Sequence, residues 1–204
     1  MRFKTTTANH ASVLSAEIDE FDGCPPVTDL EIGVALDGVS PDRVAVGATL
    51  AFAPWLAGPM EVPKPVSALT AQRIGEFFGM RWVHCVSVSR GALPITRGGR
   101  TLGLRHAGDS VGSGLREELL IDSVSSFAGI RTEGDTMAIA TNAAMLSPRG
   151  TDRQMGFADL GVAVLVASYL DVNEYVCPGL ARQDRDAFDR ATILLESVGL
   201  GLSG

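Results

Sequence analysis

Four arginines and a histidine fall close together in one glycine-bearing part of the chain: Arg90, Arg97, Arg100, Arg105 and His106. A guanidinium is a planar fork that grips a carboxylate or phosphate with two hydrogen bonds, and glycine lets backbone N–H groups approach an anion closely. The stretch Ser87 to Arg100, with Gly91, Gly98 and Gly99, therefore predicts an anion-binding loop in which Arg90, Arg97, Arg100 and Arg105 hold substrate. The plainer reading is a solvated turn whose arginines pair with surface acids. Neither G-x-G-x-x-G nor a P-loop occurs, so nothing supports a nucleotide.

Proton transfer near neutral pH calls for imidazole, and the chain has only three histidines. His106, at the mouth of the arginine stretch, is the first candidate for a catalytic acid or base, and His84 is the second. Cys85 adjoins His84, but neighbouring strand residues point to opposite faces, so the two do not line one site. A buried cysteine ordinarily acts as a small hydrophobe. Cys24, His84, Cys85, His106 and Cys177 lack the spacing of a zinc site, and no cofactor is expected. Glu133 or Asp152, in polar loops, could add a carboxylate. His10 reads as solvated, and Trp55 as a rim aromatic.

Several elements must position these groups. Leu30 to Leu36 and Val44 to Phe52 read as strands of an antiparallel hairpin around the turn-rich Asp37 to Asp42. Pro54 to Pro65 contains four prolines and predicts a stiff surface loop. Ser67 to Phe78 has helical spacing, with Ser67 as N-cap and Gly79 just past the end. Arg81 to Ser89 alternates as a strand does, and Thr101 to His106 forms another strand after Gly98-Gly99. Leu115 to Phe127 suits a helix, with a strand over Leu119 to Val124 as the alternative. Met137 to Leu146 fits a buried strand or a short helix. Thr151 and Gln154 have capping-box spacing ahead of a helix from Met155 to Leu170 that is apolar nearly all round. A last helix spans Asp184 to Val198.

These elements predict a single compact α+β or α/β domain over residues 1–204, with an antiparallel hairpin near the N-terminus and a mixed sheet covered by about four helices. Residues 1–12 are polar and expected to be loosely held. A 204-residue chain that is 46% hydrophobic and 20% charged has enough apolar surface for a real core. Its net charge of −7 disfavours nucleic acid, whose affinity comes from clustered cations. Nothing anchors the chain to a membrane, and the odd cysteine count suits a reducing, cytoplasmic setting. The apolar Leu160 helix suggests a homo-oligomer, because its far face needs a cover.

The functional expectation is a small-molecule metabolic enzyme without a redox cofactor, acting by acid/base chemistry on a small anionic metabolite. The arginines would hold this substrate, and His106 would move the proton. The alternative is a non-catalytic ligand-binding or oligomeric scaffold protein, consistent with the lack of any strong catalytic motif.

Overall fold

The computed structural model describes residues 1–79, 82–90, 98–107, 113–146 and 155–204. In chain order the strands and helices are β1 (Arg2–Ala8), β2 (Ala11–Glu17), β3 (Asp29–Ile32), α1 (Pro41–Phe52), β4 (Val66–Ser67), α2 (Ala68–Phe78), β5 (Val88–Ser89), β6 (Arg100–His106), β7 (Glu118–Ser123), β8 (Ile130–Glu133), β9 (Thr136–Thr141), α3 (Phe157–Val166), β10 (Val172–Val176), α4 (Pro178–Gln183), α5 (Arg185–Glu196) and β11 (Gly201–Ser203). A 3-10 turn, Ala143–Leu146, follows β9. They form one α+β domain around a mixed sheet of order β1-β2-β3-β9-β7-β6-β10-β11, with β8 also paired to β9. The strands β9, β7, β6, β10 and β11 run parallel, and β1 to β3 are antiparallel. No helix among the described residues is long and apolar enough to cross a membrane.

The N-terminal hairpin is built from other residues than the sequence suggests. Arg2–Ala8 pairs with Ala11–Glu17, so residues read as a loose end form the first strand. Asn9 and His10 both have positive φ, 51° and 65°, as the tight turn between twisted strands requires. Val44 to Phe52 is helix rather than strand. Ser40 accepts from the Arg43 N–H and Pro41 opens the first turn, and every residue from Asp42 to Phe52 is buried. A helix covered on all sides has no polar face to reveal its period, so its apolar run resembles a buried strand.

The segment Leu115 to Phe127 likewise resolves to its strand alternative. Leu119 and Ile121 are fully buried on one face of β7, and parallel neighbours flank it on both sides. Period two prevails there because both ladders satisfy the backbone. α2 and α5 form where expected, with Ser67 and Asp184 as side-chain caps and Gly79 left-handed at φ 62°. Among the described residues of the Arg81 to Ser89 stretch, 82–89, the regular pairings are β5 and a bridge from Met60 to Cys85; Val83 and Cys85 are buried, and Trp82, His84 and Val86 are exposed.

α3 starts at Phe157, with Gly156 as N-cap, and Thr151 and Gln154 lie outside the described residues. From Leu160 to Val166 it has no exposed residue. α1 crosses it at Gly47 and Gly161: a Cβ on Gly161 would lie 2.7 Å from the Gly47 carbonyl oxygen, so small residues are needed for this approach. The chain itself therefore covers the helix all round. The apolar circumference of α3 needs no second subunit.

Candidate functional site

β6 carries Leu102, Leu104 and His106 toward the helices and Arg105 toward the opposite face of the sheet, as strand alternation dictates. His106 is the last residue of β6, at the carboxyl end of a parallel strand, where open α/β sheets place their ligand sites. Its Nδ1 lies 3.4 Å from Oδ1 of Asp159, whose side chain is 1% exposed. Asp159 is in the first turn of α3, and its other oxygen accepts the Gly156 N–H at 2.9 Å. The helix N-terminus thus favours the carboxylate's negative charge, and the imidazole faces its remaining oxygen at ion-pair distance rather than in a formed hydrogen bond. Such a pair can fix the orientation of a proton-transferring imidazole.

The sequence reading missed Asp159. A signal was present, because it is the sole charged residue of the helix FADLGVAVLV, three positions after a glycine. A buried acid in an otherwise apolar helix has to be paired.

Of the candidate arginines, Arg100 and Arg105 are both directed away from His106. Arg100 stands at the other end of β6, about 20 Å away at the rise of an extended strand. There its Nε and Nη2 donate to Glu117 at 3.1 and 2.8 Å. Arg105 faces away from His106 and pairs with Glu118 at 2.8 Å. Arg90 is exposed, and Arg97 lies outside the described residues. The Gly98-Gly99 turn packs against Asp171. The N–H groups of Gly99 and Arg100 both donate to the Asp171 carbonyl, and a Cβ on Gly98 would lie 2.4 Å from Asp171.

His84 is exposed, with Nδ1 2.9 Å from the Trp82 carbonyl oxygen. Its segment pairs with β4 and Met60 rather than with the main sheet, so the structure does not join it to His106 in one ladder. Cys85 points inward, and burial pushes its thiol up to about 12, which leaves almost no thiolate at neutral pH. Among the described residues no group of histidines, cysteines and acids has the makings of a metal site. No family model matches the chain, and no curated protein or solved structure shows significant similarity to it.

Proposed function

We propose that the protein is a small-molecule enzyme that uses His106 as its acid/base group, with Asp159 as the positioning residue. The observation that carries this reading is the 3.4 Å approach of His106 Nδ1 to a buried carboxylate at the carboxyl edge of the parallel strands. With Nδ1 turned to Asp159, proton exchange with a substrate falls to Nε2. Asp159 would hold the ring in one tautomer and stabilise the imidazolium formed after proton abstraction. An anionic substrate is the class suggested by the arginine-rich stretch, of which Arg90 is solvent-exposed.

A second reading, a non-catalytic ligand-binding protein, is favoured by the internal use of the glycine turn and by exposed aromatics, Phe21 at 65% and Trp82 at 66%. A thermal-shift screen of carboxylate and phosphate metabolites tests both, since a specific ligand stabilises the folded state. For a compound that is bound and turned over, His106→Gln should lower kcat by roughly 10²–10⁴-fold while binding persists. Asp159→Asn should lower kcat less and alter its pH profile. Turnover unchanged in His106→Gln overturns the acid/base assignment, and binding without turnover supports the second reading.

A further inference from the structure

The sheet divides at one place. β3 meets β9 in a regular ladder only at Ile32 opposite Thr141. Beyond that point two buried side chains take over the role of a strand. The Asn142 amide accepts from the Glu31 N–H at 2.8 Å and donates to the Asp29 carbonyl at 2.8 Å, and the Thr141 hydroxyl donates to the Glu31 carbonyl at 2.6 Å. The backbone is satisfied, but the solvent-facing side of the sheet is left without a strand's worth of side chains. Two clefts lie there, of about 280 and 440 Å³, and Glu31 and Val124 line both. Together they fall in the size range of small-molecule sites, roughly 300–1,000 Å³.

The lining states the chemistry of an occupant. Val13, Val124, Phe127 and Ala140 give the smaller cleft an apolar wall and floor. Its backbone floor is closed where the Ala140 N–H donates to Gly129 and the Ala140 carbonyl accepts from Gly33. Asp29 and Glu31 are alternate residues of β3, both exposed and on one face, about 7 Å apart. Neither carboxylate has an ion pair or side-chain hydrogen bond among the described residues. Arg131 lies 5.1 Å over the Phe127 ring and pairs with Glu133, and neither it nor any other Lys or Arg is among the residues that line the two clefts. The cleft charge is therefore negative next to an apolar wall, and two carboxylates are too few ligands for a structural metal ion.

We propose that this split in the sheet is a second ligand site, separate from His106, for an organic cation: an amine on an aromatic or branched aliphatic body. The body packs between Val13, Val124 and Phe127, and the ammonium sits at Glu31 with Asp29 beside it. An anion of the same shape is repelled, and a neutral analogue loses the charge-assisted hydrogen bond.

Amide chemical-shift titration of the full nitrogen-labelled chain tests this, with phenethylamine and isoamylamine as probes and hydrocinnamate and phenethyl alcohol as controls. Saturable shifts confined to Glu31, Gly33, Val124 and Gly129 are expected with at least one amine and none with hydrocinnamate. Glu31→Gln should weaken that binding about tenfold, the loss of one charge-assisted hydrogen bond. Val13→Lys places a tethered ammonium at the cleft wall and should abolish binding; Glu31 is exposed and Val13 half-buried, and melting curves of both variants check that they fold. His106→Gln should bind the amine as the parent does, so failure of the acid/base reading leaves this result unaffected. No saturable shift with either amine at millimolar concentration, equal shifts with hydrocinnamate, or binding unchanged by Glu31→Gln and Val13→Lys would each overturn the proposal.

Discussion

Among the carboxylates enclosed by the protein, Asp159 and Asp22 are made tolerable by different partners. Asp159 has a helix N-terminus and an imidazole. Asp22 has the Met1 ammonium at 2.7 Å, the Ala57 N–H at 3.1 Å and the Asp19 N–H at 3.2 Å. Burial works to raise the Asp22 carboxyl, but the ammonium and the two N–H donors together outweigh it and hold it below the ordinary carboxylate range. A depressed carboxyl stabilises the fold above its unfolded-state value, and that stability is lost as pH falls through the folded one. Asp22→Asn should therefore cost about 1–2 kcal/mol in urea denaturation at neutral pH, and the difference should shrink in acid. An equal deficit at both pH values would show that the ion pair is not the source. Arg43 is the opposite case, a buried guanidinium whose pKa is lowered by burial. It donates to Ser168 at 2.5 Å and lies 3.5 Å from the Val198 carbonyl, tying α1 to the residues after α3 and α5.

At the scale of elements, the α1–α3 crossing is the contact most sensitive to volume. Alanine is a better helix former than glycine by about 1 kcal/mol, which alone would make Gly161→Ala stabilising. The new Cβ, however, would meet the Gly47 carbonyl oxygen at 2.7 Å and the Ala51 amide nitrogen at 3.0 Å. Both are backbone atoms that cannot rotate away, so the two helices must separate. Overpacking of this kind costs about 1–3 kcal/mol, and Gly161→Ala is expected to lower the melting temperature. A raised melting temperature would mean that the helices part freely. Strands β3 and β9 are the contrasting junction, since side chains of Thr141 and Asn142 carry part of their backbone pairing. That substitution leaves room where a continuous ladder would have none.

For the whole molecule, none of the three cysteines is in a disulfide, and Cys24 is exposed while Cys85 and Cys177 are buried. Reductant should leave the melting temperature unchanged. In the native protein one thiol, Cys24, should react rapidly with a disulfide reagent, while Cys85 and Cys177 react only on unfolding. Two fast thiols, or a lower melting point on reduction, would contradict this arrangement. The helices and the inward faces of the strands enclose one continuous core, from Phe3 against Phe52 at the antiparallel side to Tyr175, whose hydroxyl donates to the Ala163 carbonyl, near the parallel side. The opposite sheet face is left to polar and half-buried residues such as Arg105, Glu118 and Asp122.

The sequence by itself determined the mixed α and β character and the elements that carry their own punctuation. α2 and α5 were legible because cap residues and a one-sided apolar stripe are local signals, and β6 because it alternates after a glycine turn. His106 was legible as a proton-transfer candidate from residue type alone. Only the tertiary structure decided that Val44 to Phe52 is helix, because an element buried on all sides loses the polar face that shows its period, and that Glu118 to Ser123 is strand, because parallel ladders on both sides satisfy its backbone. It also decided which residue meets His106. Asp159 is 53 positions from His106 in the chain, read from their numbers, and meets it because the parallel crossover through α3 brings a helix N-terminus to the end of β6. Arg100 is near His106 in sequence, yet an extended strand carries six residues about 20 Å. Proximity along a strand is separation in space, whereas a crossover makes distant residues neighbours, and no local pattern encodes which of the two applies.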